Sequence, residues 1–129
     1  MPQKKELIHY YTWLRQYGYN DSHSGNASVR IHNSIWITPS GACADILRAD
    51  DLIACDINGT IGDNASYDAK LHLEVYKKNP KARAILHSHG PYSIALTMDG
   101  EDFIPKDFEG RLYFPKVPVH IIPFDKYSE

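Results

Sequence analysis

Cysteine is scarce in this chain of 129 residues: Cys43 and Cys55 are the only two. A disulfide scaffold is therefore excluded, and both read as ordinary thiols of a reducing cytoplasm, the expected location. Charge of either sign is not in excess. Fourteen Lys and Arg against sixteen Asp and Glu leave a formal charge of -2, with no basic run, so neither nucleic acid nor a membrane surface is an expected partner. Long apolar runs are missing as well: nothing approaches the roughly 18 consecutive apolar residues of a membrane span. The opening Met-Pro-Gln-Lys-Lys-Glu lacks the apolar stretch of a secretion signal. Repeats and low-complexity tracts are absent, and the length leaves room for one core, so residues 1–129 are read as a single domain. With 43% hydrophobic and 23% charged residues the chain is too apolar to stay disordered. Histidine is what it has in plenty: seven, of which His87 and His89 stand one residue apart.

Leu7, Tyr11 and Leu14, with Ile8 and Tyr10 beside them, predict an amphipathic helix over 4–17, ended near Gly18. A hairpin is expected from Ala27–Ile31 and Ile35–Thr38 around His32-Asn33-Ser34. Residues 39–50 read as a loop, and Leu52–Ile57 as a strand closed by the hairpin signal Asn58-Gly59. Ser66 reads as the N-cap of a helix to about Lys78, with Leu71 and Val75 one turn apart and Asn79-Pro80 ending it. Ala84–Ser88 is a strand that leads through His87-Ser88-His89-Gly90 to a helix from Pro91 to about Met98. Residues 99–116 are polar with scattered aromatics, and Val117–Ile122 read as a last strand despite Pro118.

Side chains at i and i+2 of a strand share a side, so His87 and His89 can offer two imidazoles to one point. That separation suits zinc, although for a bare His-x-His a pair of surface or hydrogen-bonded histidines is the better reading. Asn26, Ser40, Gly41 and Ser66 are residues that turns need in their own right. Asp68 stands in the first turn of a helix, where a carboxylate is stabilised by the dipole. His72 shares its face and is either an orienting donor or a packing histidine.

The ordered set Ser24-Gly25-Asn26-Ala27-Ser28-Val29-Arg30, Ile37-Thr38-Pro39-Ser40-Gly41, Ser66-Tyr67-Asp68 with His72, and His87-Ser88-His89 resembles the class II aldolase and adducin family over about Leu7 to Phe124. The resemblance implies an α/β fold, a three-layer α/β/α sandwich around a mixed, mostly antiparallel sheet, here shortened at its C-terminus. It implies a zinc- or other divalent-metal-dependent lyase that cleaves or epimerises a small phosphorylated ketose through a metal-stabilised enediolate. The matching positions are His87 and His89 for the metal, Asp68 as catalytic acid/base, and Asn26, Ser40, Gly41 and Ser66 for the substrate phosphate. A homo-oligomer, a tetramer as in the family, is the implied assembly.

Three departures stand against that pattern. Asp68 replaces the usual glutamate, Tyr67 replaces a second serine, and the segment that carries the family's third metal histidine has no counterpart here. They motivate a rival of a different class, a noncatalytic binding or assembly domain like the adducin head, or an inactive fragment of a longer aldolase.

Overall fold

The computed structural model describes residues 1–126. The chain divides into two compact units, Met1–Gly90 and Pro91–Glu129, and every candidate site residue falls in the first.

The first unit begins with α1 (Pro2–Gln16), whose Pro2 sits in the first turn, where its missing N–H costs nothing. A four-stranded sheet follows, built from β1 (Asn26–Ile31), β2 (Ser34–Ile37), β3 (Ile53–Asp56) and β4 (Ala84–His87) in the order β3-β2-β1-β4. The β1–β2 hairpin turns at His32-Asn33, with His32 in the left-handed region at φ 56°. All three pairings are antiparallel, so the mixed sheet expected from the sequence has no parallel member among the described strands.

Strand alternation sorts the side chains into two cores. On one face Ala27 and Val29 of β1 pack with Leu7 and Tyr11 of α1, together with Ala44 and Leu52. On the other, Ile35, Ile37 and Cys55 pack with Ala69, Leu73 and Tyr76 of α2 (Ala69–Lys78). The helix buries Ala69, His72, Leu73 and Tyr76, while Leu71 and Val75, the pair that announced it in the sequence, stay exposed. It also starts later than expected, with Asp68 at the N-cap. Ser66 lies two residues before that cap, its hydroxyl accepting the Asp68 N–H at 3.3 Å.

Asn58-Gly59 makes its turn, with Asp56 N–H donating to Thr60 C=O, but no strand follows among the described residues 60–68. Ile61-Gly62-Asp63-Asn64 has none of the alternation a strand needs.

In the second unit lie α3 (Pro91–Leu96) and α4 (Phe108–Tyr113). The sequence hides α4 among polar residues; Asp107 caps it by accepting the Gly110 N–H at 2.8 Å. The strand expected at Val117–Ile122 is reduced to one bridge, Phe103 to Val117. Pro118 has no N–H to extend the ladder, and the next N–H, of Val119, goes to the Asp102 carboxylate at 2.8 Å.

Candidate active site

Register decides what meets what. Asn26 is paired with His87 and Ser28 with Ile85 across β1 and β4. Cross-strand partners share a face, so Asn26, Ser28 and His87 all stand on the side covered by α2. The N-terminal end of that helix delivers Asp68 to the same place. Asp68 Oδ2 accepts a hydrogen bond from Asn26 Nδ2 at 2.7 Å and lies 3.3 Å from His87 Nδ1. Asp68 is largely enclosed, with 12% of its side chain exposed against 36% for His87. The His89 ring lies beside that of His87, centroids 4.8 Å apart and planes tilted by 32°.

Behind Asp68 runs a buried polar chain. Asn26 Oδ1 lies 2.6 Å from His72 Nε2, His72 Nδ1 2.7 Å from Ser28 Oγ, and Ser28 Oγ 2.8 Å from Tyr76 Oη. Tyr76 Oη also reaches the Ser28 carbonyl at 3.1 Å. Burial holds the His72 pKa down to about 4, with the neighbouring His87 adding to the effect and the Asp68 carboxylate opposing it. The Tyr76 phenol is pushed up to about 12, again chiefly by burial. Both are neutral at pH 7, as polar groups this deep must be unless paired with a charge.

The remaining predicted residues are held in place by backbone bonds. Thr38 hydroxyl accepts the Ala27 N–H at 3.2 Å, Thr38 N–H donates to Ala27 C=O, Ser66 N–H to Thr38 C=O, and Ser40 N–H to Asn64 C=O. The turn carrying Ser40 and Gly41 is thereby strapped both to β1 next to Asn26 and to the segment leading to Ser66 and Asp68. Ser40 and Gly41 are exposed, Ser66 and Asn26 buried. Gly41 has φ 68°, which favours glycine over any side-chain-bearing residue. Of the other histidines, His9, His23 and His32 are exposed on α1, a loop and the hairpin turn, and His120 belongs to the second unit.

Three functional positions escape a reading of the sequence. Ser28 and Tyr76 complete the buried chain, and neither residue type signals it. Asn20, 5% exposed, brackets the His-x-His backbone: its Oδ1 accepts the His89 N–H at 2.8 Å and its Nδ2 donates to the His87 carbonyl at 3.3 Å. Gly25 makes that bracket possible, because at φ 71° any Cβ there would collide with the His87 carbonyl and the Asn20 amide.

A divalent cation is implied by the family, and the donor set fits it in part. Two adjacent imidazoles, one turned by a carboxylate on its other ring nitrogen, are how protein sites present histidine to zinc. With Nδ1 of His87 facing Asp68, Nε2 is the ring nitrogen left for another partner. Among the described residues no cluster of three His, Cys, Asp or Glu side chains is arranged to hold an ion. His87 and His89 are two imidazoles side by side, where a catalytic zinc site takes three protein ligands.

Comparison with known proteins gives the family. Residues 5–128 match the class II aldolase and adducin N-terminal domain, and the chain belongs to that family. The 3-oxo-tetronate 4-phosphate decarboxylase of Haemophilus influenzae is 35% identical over 100 residues, covering 75% of this chain and 48% of that protein. The L-fuculose phosphate aldolase of Methanocaldococcus jannaschii is 29% identical, covering 88% and 64%. Among solved structures, the L-fuculose-1-phosphate aldolase of Thermus thermophilus superposes with a TM-score of 0.82 at 31% identity, covering 92% of this chain and 62% of that one. The chain spans about half to two-thirds of the length of these relatives.

Proposed function

We propose that this domain is that of a metal-dependent lyase that cleaves or epimerises a small phosphorylated ketose. The observation that carries it is the convergence of an amide from β1 and an imidazole from β4 on one carboxylate oxygen at the start of α2, Asp68 Oδ2. Sugar-phosphate chemistry in the relatives supports the same reading.

In this reading His87 and His89 hold the cation, which when bound supplies Lewis acidity toward a substrate carbonyl. Asn26, Ser66 and the Ser40-Gly41 turn seat the phosphate through amide, hydroxyl and backbone N–H donors, without a lysine. Asp68, partly enclosed at the helix start, moves a proton to or from a substrate hydroxyl. Aspartate is one methylene shorter than the family's glutamate. Its reach falls by about 1.5 Å unless the backbone closes in, and a misplacement of about 1 Å costs roughly 100-fold in rate. Slow turnover is therefore expected. The exposed aromatic stripe Tyr10, Trp13 and Tyr17 along and just past α1 supports assembly into a homo-oligomer.

The test is zinc content together with release of dihydroxyacetone phosphate from a panel of ketose 1-phosphates. Zinc-dependent release supports the proposal; a metal-free, inert protein refutes it. The two-imidazole donor set favours one other reading, a binding domain without chemistry. Its mark would be sugar-phosphate binding that survives chelation while no product forms.

A further inference from the structure

The buried chain behind Asp68 has a direction that its hydrogen-bonding groups impose. An ionised carboxylate only accepts, so the Asn26 group facing it is the NH2 and the group facing His72 is the carbonyl oxygen. A carbonyl oxygen only accepts, so the hydrogen of His72 is on Nε2, and Nδ1 is left as an acceptor for the Ser28 hydroxyl. Ser28 Oγ, having donated, accepts from Tyr76, whose single hydrogen is shared with the Ser28 carbonyl. Every hydrogen points toward Asp68, and His72, Ser28 and Tyr76 are buried to 2% exposure or less. Aligned bonds of this kind polarise one another in a low-dielectric interior.

We propose that His72 is a positioning residue that fixes the Asn26 amide so that its NH2, not its oxygen, is offered to a ligand. One amide hydrogen of Asn26 is committed to Asp68 and its oxygen to His72, which leaves the second amide hydrogen for a ligand. Such a site takes an acceptor oxygen, that of a phosphate or carboxylate, and discriminates against a ligand group that must donate. The inference rests on the reading of Asn26 as part of the phosphate seat, but its structural core, the fixed tautomer, is testable without any ligand.

The first arm is two-bond proton–nitrogen NMR of the full chain with labelled histidine, between pH 7.5 and 5.5. His72 should show a protonated Nε2 and an unprotonated Nδ1 throughout. A proton on Nδ1, or averaging between tautomers, overturns the relay whatever the protein's activity. The second arm is titration with dihydroxyacetone phosphate. His72→Gln can still donate to Asn26 and accept from Ser28, and should bind within about threefold of wild type. His72→Leu removes both bonds and should bind about tenfold more weakly, the worth of one well-placed hydrogen bond. Ser28→Ala removes the donor to Nδ1 while the Asn26 carbonyl still holds the His72 hydrogen on Nε2, and should weaken binding less than His72→Leu does. Equal affinity in all four proteins overturns the positioning role. Wild type that fails to bind the phosphate ester while keeping the Nε2 tautomer refutes the phosphate seat, and with it the ligand half of the proposal.

Discussion

Acid should destabilise this protein through His72 in a way that can be calculated. The folded state holds the imidazole unprotonated down to about pH 4, whereas the unfolded chain binds a proton near the ordinary value of about 6.5. Between those limits the unfolded state carries more protons, so stability falls as pH falls through the window from about 6.5 to about 4. At about 1.4 kcal/mol for each pH unit between the two values, the full loss is about 3 kcal/mol, of which about 2 kcal/mol is gone by about pH 5. The charged and titrating groups acting on the ring are Asp68 at the cap of α2 and His87 from β4, with Tyr76 one bond further away behind Ser28. All are retained in His72→Gln, which subtracts everything but the ring itself. Urea unfolding at pH 7 and pH 5 reads the difference: with a slope of about 1–3 kcal/mol per molar urea, the wild-type midpoint should drop by about 1 M more than that of the variant. Parallel pH dependence in the two proteins would refute both the burial of the ring and its neutrality.

Two further outcomes follow from the bracket on the His-x-His turn. Gly25→Ala forces a side chain into a left-handed position and against the His87 carbonyl. It should destabilise by about 2–4 kcal/mol in chemical denaturation, strain and overpacking together, and shift the His87 resonances. Asn20→Ala leaves His89 N–H with its second acceptor, the Tyr19 carbonyl at 2.9 Å, but strips the His87 carbonyl of a donor. A loss of about 1–3 kcal/mol and faster amide exchange at residues 87–90 are expected; unchanged exchange would show the bracket to be idle.

What the sequence made legible was local. The hairpin, the first helix and the His-x-His strand end each follow from alternation, periodicity or turn chemistry over short stretches of chain. The polar motifs, in their order, made the family legible too. The relay was not, because Ser28 and Tyr76 lie 48 residues apart and meet only through the β1–β4 register and the face α2 presents. Asn20 was hidden for the same reason: its partners His87 and His89 lie 67 and 69 residues further along, and a lone asparagine after a helix reads as turn chemistry. Leu71 and Val75 misled because apolar residues one turn apart mark a helix without saying which face is buried. The last strand failed at Pro118, where the apolar pattern outlasted the hydrogen-bonding capacity of the backbone.

Asp68 is the point on which the functional reading turns. Dihydroxyacetone phosphate release from ketose 1-phosphates in the presence of zinc, compared between wild type and Asp68→Asn, measures its part directly. Loss of a proton-transferring carboxylate should lower the rate by about 100-fold or more with zinc binding retained. Release at the wild-type rate from the variant, or none from wild type, would contradict the assignment.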